Sequence, residues 1–200
     1  MPEAGRPTEG ANAPFFQTAM LQTAMDIPFK RNFFELFGLP PGFGLDAADL
    51  DRSYRELQQQ VHPDRFANAS DAERRASMQW ATHVNEAYRT LKDPIPRAAY
   101  LLALHGIDPK LETGTSMPPE FLTEQMEWRE SVEAASLSGD IAGLENLSLR
   151  VRNERERLCG EIARQLDDRA DDAAAATLRK LKFLERIGEE IGDALECIES

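Results

Sequence analysis

Two apolar stripes of equal length, separated by a segment that cannot be helical, decide most of what the first half of this 200-residue chain can become. Leu50, Tyr54, Leu57 and Val61 recur at steps of 4, 3 and 4, and Ala81, Val84, Tyr88 and Leu91 at steps of 3, 4 and 3. Either spacing lines its residues along one side of an α-helix, and that side must be buried against something. The first helix has to stop at Val61–His62, because Pro63 has no amide hydrogen to donate and disfavours a helical residue before it. Asp46 is a good N-cap for its other end. Ser70-Asp71-Ala72-Glu73 reads as a capping box that opens the second helix. Stripes of matching length across an eight-residue loop predict an antiparallel helical hairpin.

The same reading extends along the chain. Residues 1–30 hold Pro2, Pro7, Pro14 and Pro28 with no apolar period, and read as a flexible N-terminal extension. Phe33, Phe34, Leu36 and Phe37 form a short apolar turn closed by Gly38-Leu39-Pro40-Pro41. Asp93-Pro94 starts a short helix that carries Ile95, Ala98 and Leu102 and ends at Gly106. Residues 107–118, with their prolines, read as a linker. Three longer helical patterns follow. One runs from about residue 119 to 137, and the next is capped by Asp140 and carries Ile141, Leu144, Leu147, Val151, Leu158 and Ile162. The last runs from about 171 to 198 and carries Leu178, Leu181, Leu184, Ile187, Ile191 and Leu195. Three amphipathic helices with short turns predict a three-helix bundle over 119–200. Only 12 residues are Val or Ile, so a strand-rich fold is poorly supported and the chain is expected to be all-α in two parts.

Charge and cysteine usage narrow the partners. The longest apolar run, Ala98 to Leu104, is far short of the ~20 residues a membrane span needs, and no signal-peptide pattern precedes it. Cys159 and Cys197 form no CxxC pair, which argues against a structural zinc site and fits reduced thiols in the cytoplasm; no cofactor is expected. The net charge of −12 is concentrated late: residues 111–200 carry eleven basic and twenty-one acidic groups. Such a surface repels a phosphate backbone, so nucleic acid is not an expected partner. A protein with a basic surface fits better, beside the plainer reading of an acidic face kept for solubility.

His62-Pro63-Asp64 falls at the hairpin tip, where a donor and an acceptor flank a rigid proline. The pair could present a shaped polar surface to a partner, act as an acid–base dyad, or simply cap a turn beside a solvated histidine. Against catalysis, the chain has three histidines in all (62, 83 and 105) and no Gly-rich phosphate loop. His83 and His105 fall in or at the end of helices and read as structural.

Four motifs in order then carry a resemblance: Phe33-Phe34-Glu35-Leu36-Phe37-Gly38-Leu39, Tyr54-Arg55-Glu56-Leu57, His62-Pro63-Asp64, and Asn85-Glu86-Ala87-Tyr88-Arg89-Thr90-Leu91-Lys92-Asp93-Pro94. Together they resemble a J-domain, the module by which DnaJ-type co-chaperones stimulate ATP hydrolysis in DnaK-type chaperones. Arg97-Ala98-Ala99-Tyr100-Leu101-Leu102-Ala103-Leu104-His105-Gly106 and the late Leu178-Arg179-Lys180-Leu181-Lys182-Phe183-Leu184 narrow the resemblance to the HscB-type co-chaperones of iron–sulfur cluster assembly. The resemblance implies a J-domain over 31–106, and a tip (His62, Pro63, Asp64) that contacts an HscA/DnaK-type chaperone with help from Arg52, Arg55 and Arg65. The helix before the tip departs from the pattern. Four acidic residues and Gln58-Gln59-Gln60 stand where relatives are more basic, so weaker electrostatic steering is expected.

The first bundle helix has two apolar faces. Phe121, Trp128, Val132 and Ala135 share a narrow arc, the obvious core face. Leu122, Met126 and Leu137 fall about 100–160° round from it, alongside Arg129, Glu130 and Glu133. On the last helix Phe183 lies roughly 90–100° off the main stripe, an anchor or a boundary core residue. The resemblance implies that Leu122, Met126 and Phe183 bind an IscU-type iron–sulfur scaffold, with Glu127, Arg129 and Glu130 as nearby charges; Thr123 stands where an apolar residue often occurs. The expectation is a two-ended adaptor that breaks no bond itself. Its rivals are a scaffold-binding adaptor with an inactive J-like hairpin, and an enzyme using His62 and Asp64.

Overall fold

A computed structural model describes residues 31–62, 66, 69–109 and 119–199. Among them are seven helices and no strand: α1 (Phe33–Leu36), α2 (Ala47–Val61), α3 (Asp71–Lys92), α4 (Pro94–Leu104), α5 (Pro119–Ser138), α6 (Ile141–Asp167) and α7 (Asp171–Glu199). The chain divides into two compact units. One holds the described residues up to Pro40 together with Ala47–Tyr88; the other holds Pro41–Asp46 and everything from Arg89 onward.

In the first unit, α1 opens with a capping box that balances two otherwise unsatisfied amides. Glu35 N–H donates to Asn32 Oδ1 at 2.9 Å, and Asn32 N–H donates to Glu35 Oε2 at 3.1 Å. The short helix buries Phe34, and Phe37 after it is buried too. Gly38, at φ 66°, then takes the left-handed conformation that lets the chain reverse. Between α2 and α3 the hydrogen-bonded partners run in opposite directions: Asp51 with Tyr88, Tyr54 with Asn85, Val61 with Ser77. That is the antiparallel hairpin the two stripes predict. At the start of α3 the Ser70 N–H donates to Glu73 Oε2 at 2.8 Å and Glu73 N–H donates to Ser70 Oγ at 3.3 Å, the expected capping box.

The second unit is organised around α7, which packs against α4, α5 and α6. Its core is aliphatic: Leu144, Leu158 and Ile162 of α6 meet Leu178, Leu181, Ile187 and Ile191 of α7, all fully buried. Asp140 caps α6 as expected, its Oδ1 accepting from Gly143 N–H at 2.9 Å. A left-handed Gly139 (φ 66°) closes α5 before it.

Contacts among the described residues group α4 with the bundle helices. The reason is composition. Ile95, Ala98, Leu101 and Leu102 are all buried on a helix of 11 residues, so α4 needs apolar cover on more than one side, and α6 and α7 supply it. Asp171 Oδ1, at the first turn of α7, lies 2.6 Å from His105 Nδ1 at the end of α4, which gives His105 the structural role expected of it. From Pro41–Asp46, Phe43 inserts beside α4, with the Arg97 guanidinium 5.2 Å above its ring. Arg97 is 8% exposed, and burial pushes its pKa below the usual arginine value, with Asp93 pulling the other way. The extension 1–30 and most of the expected linker, 110–118, lie outside the described residues.

Candidate functional site

The exposed end of the hairpin is built by α2 and its attachments to α3. A helix cannot satisfy its last carbonyls internally. Here the buried Ser77 hydroxyl of α3 donates to the Val61 carbonyl at 2.9 Å and ties down the final turn of α2. One turn further back, Tyr54, Gln58 and Asn85 close a ring. Tyr54 O–H donates to Asn85 Oδ1 at 2.9 Å, Gln58 Nε2 donates to the same oxygen at 2.9 Å, and Gln58 Nε2 also donates to the Tyr54 oxygen at 2.6 Å. Tyr54 also stacks on Tyr88, 3.9 Å between centroids at 17°. His83, which reads as structural in sequence, packs edge-on to Phe33 at 5.5 Å.

With the inner side so fixed, Arg55, Gln58, Gln59 and His62 line a shallow groove on the outer side of α2. His62 is exposed and follows the last helical residue directly. Pro63, Asp64 and Arg65 lie outside the described residues. Arg52 and Arg55 are both exposed, but they differ. Arg52 is paired with Asp49 one turn earlier, whereas Arg55 has no ion-pair partner among the described residues.

The second candidate surface lies on α5. Phe121, Trp128, Val132 and Ala135 are buried, as their arc requires. The other arc faces solvent: Leu122 is 49% exposed, Met126 62% and Leu137 83%. Glu127, Arg129 and Glu130 are exposed around it, as is Thr123. Phe183 is not part of that exposed face. It is 6% exposed and stands edge-on to Phe121, 5.6 Å between centroids at 83°, with the Arg129 guanidinium 5.9 Å above it. Its burial fits the second of the two readings its flank position leaves open, a boundary core residue. α7 has neighbours on several sides, so a position roughly 90–100° off its main stripe faces α5. Lys180 lies 5.5 Å above Phe121, so both rings of the pair carry a cation on their faces.

Sequence reasoning missed three features: the Tyr54–Gln58–Asn85 ring, the Ser77–Val61 tie and the buried Arg97. All depend on side chains from segments well apart in the chain, Arg97 through the Phe43 ring and the others through hydrogen bonds, which periodicity does not report. Cys159 is half-buried and Cys197 exposed, so only the first is a boundary thiol. Among the described residues no three His, Cys, Asp or Glu side chains converge to hold a metal, and no helix is long and apolar enough to cross a membrane.

Comparison with known proteins accounts for this arrangement. The DnaJ domain family matches residues 32–100 and the HSCB C-terminal oligomerisation domain family residues 117–192. A co-chaperone protein HscB homolog of Aromatoleum aromaticum is 51% identical over 177 residues, which is 88% of this chain and all of that protein. One from Burkholderia multivorans is 48% identical over 174 residues, 87% of this chain and 99% of that protein. Among solved structures, chaperone HscB from Vibrio cholerae is 39% identical with a TM-score of 0.75 over 84% of this chain and 99% of its own. The human co-chaperone protein HscB is 32% identical with a TM-score of 0.74 over 81% of each. A helical J-domain followed by a C-terminal helical domain, related at this level to proteins so described, places the chain in the HscB family of J-domain co-chaperones.

Proposed function

We propose that this co-chaperone stimulates ATP hydrolysis by an HscA/DnaK-type chaperone through the end of its hairpin and delivers an IscU-type iron–sulfur scaffold to that chaperone with its bundle, in the cytoplasm. His62, Pro63 and Asp64 form the stimulating tip. Arg55 is the main docking cation beside it, with Arg52 and Arg65 secondary. Leu122 and Met126 are the apolar contacts for the scaffold, and Arg129, Glu130 and Glu127 are the charges around them. Phe183 supports that surface from beneath. The protein makes and breaks no bond; it shifts the conformational equilibrium of an enzyme that does. Holding both partners on one chain raises the effective concentration of each for the other.

The observation that carries the scaffold-binding half is the solvent-facing Leu122–Met126 pair on a helix whose core face is already filled. Single-turnover ATP hydrolysis by purified chaperone, with and without this protein and the scaffold, tests the whole reading. His62→Gln should abolish stimulation and leave scaffold affinity within a few-fold, whereas Leu122→Ala with Met126→Ala should weaken scaffold binding with helicity intact. A wild-type protein that binds scaffold without stimulating hydrolysis would favour the binding-only adaptor, for which the pairing of Arg52 with Asp49 is the supporting feature.

A further inference from the structure

The end of α2 is held by polar groups where apolar packing alone would have closed the hairpin. Leu50 and Val61 are buried, but between them the helix faces α3 with Tyr54 and Gln58, and α3 answers with Asn85. Three hydrogen bonds among three side chains form a closed ring, and a slip of either helix by one residue breaks the two that cross to Asn85. Leucines, by contrast, would tolerate sliding. Ser77 adds a fixed point at Val61, the residue directly before His62. Gln58 belongs to both the ring and the outer groove with Arg55, Gln59 and His62. The inner contacts therefore set where the outer side chains stand.

We propose that Asn85 and Ser77 are positioning residues for chaperone recognition: they act through Gln58 and Val61 to hold Arg55 and His62 in the arrangement the partner reads. This rests on the stimulating role assigned to the hairpin end above. The chemistry of the ring makes a clean substitution available. Asn85 uses its Oδ1 as an acceptor from both partners, and Asp offers the same acceptor while Leu offers none.

The experiment compares Asn85→Leu, Asn85→Asp, Ser77→Ala and a control, Val84→Ala. The control removes buried volume from the same helix without touching the ring or the tie. Stimulation of the chaperone's ATPase is measured well below each variant's melting temperature. Asn85→Leu and Ser77→Ala are expected to lower stimulation by about tenfold. Asn85→Asp should stay within about twofold of wild type. Val84→Ala should keep full stimulation although it is less stable. If Val84→Ala loses stimulation in step with its stability, or Asn85→Leu keeps it, the positioning role is overturned. A second readout is independent of the partner: the amide resonances of Arg55, Gln59 and His62 should move in Asn85→Leu and not in Asn85→Asp. Unmoved resonances overturn the proposal even where stimulation falls. If wild type and His62→Gln stimulate equally while those resonances still move, the stimulating role has failed and the mechanical link from the ring to the groove has not.

Discussion

The Phe183 ring stands edge-on to Phe121, 5.6 Å between centroids at 83°, and this contact joins α7 to α5, while the next residue, Leu122, is 49% exposed. Adjacent residues on α5 thus divide the work: Phe121 belongs to the core and Leu122 to the surface. Phe183→Ala should destabilise the protein by about 3–5 kcal/mol, the range for losing a buried aromatic side chain. Leu122→Ala should change stability by no more than about 0.5 kcal/mol. Denaturant titration of the two variants checks this. A Phe183→Ala protein as stable as wild type would return that ring to the list of surface anchors.

Arg55 and Arg52 should not contribute equally to partner docking. Arg52 already spends part of its field on Asp49, while Arg55 faces the groove beside His62. Arg55→Ala is expected to raise the half-saturating concentration for ATPase stimulation about three- to tenfold, and Arg52→Ala no more than about twofold. The Arg55 effect should shrink as salt rises above about 0.15 M, since exposed charges are screened over a Debye length of roughly 8 Å. Equal effects of the two arginines at low salt would contradict the assignment.

Much of this arrangement was legible in the residues because it follows from periodicity and caps. Leu50, Val61, Val84 and Leu91 announced the hairpin, Ser70 and Glu73 its second start, Asp140 and Gly139 the turn between α5 and α6. The split of α5 into a core arc and an exposed arc was readable from a helical wheel alone. The allocation of Phe183 was not, because a wheel gives an angle and does not say how many neighbours surround the helix. The packing of α4 on α6 and α7 is hidden for a related reason: the spacing of Ile95, Leu101 and Leu102 shows that they need cover and not which helices supply it. The Tyr54–Gln58–Asn85 ring was out of reach because single polar residues on a helix look the same whether solvated or bridged.

The box at the start of α3 should make hairpin stability pH-dependent. The Ser70 hydroxyl and then its backbone amide, both hydrogen-bonded to the Glu73 carboxylate, hold its pKa below the usual 4.5. A depressed carboxylate pKa adds stability that is fully present above the unfolded value and is lost as pH falls through the folded one. Ser70→Ala should therefore reduce stability at neutral pH, since it removes both the cap on α3 and the hydroxyl that stabilises the Glu73 carboxylate. Its deficit relative to wild type should narrow once Glu73 is protonated in both. Melting curves at about pH 7 and about pH 3 check the sign, and a deficit that widens toward acid would contradict it.

The two cysteines should differ sharply in reactivity, although neither is drawn into a site. Cys197 is exposed on the last turns of α7, whereas Cys159 is half-buried between α6 and α7 in a groove with Arg152, Arg155 and Glu185. Burial pushes the Cys159 thiol pKa up; Arg155 and Arg97 oppose the shift without cancelling it. The attacking species is the thiolate, so at about pH 8 a water-soluble disulfide reagent should label Cys197 at least about tenfold faster than Cys159. In denaturant the two rates should converge, because the difference comes from the folded environment alone. Cys197→Ser isolates the slow thiol and gives its rate directly. A fast native rate at Cys159 would mean that the arginines outweigh burial there, and that the groove carries more positive potential than its glutamates allow.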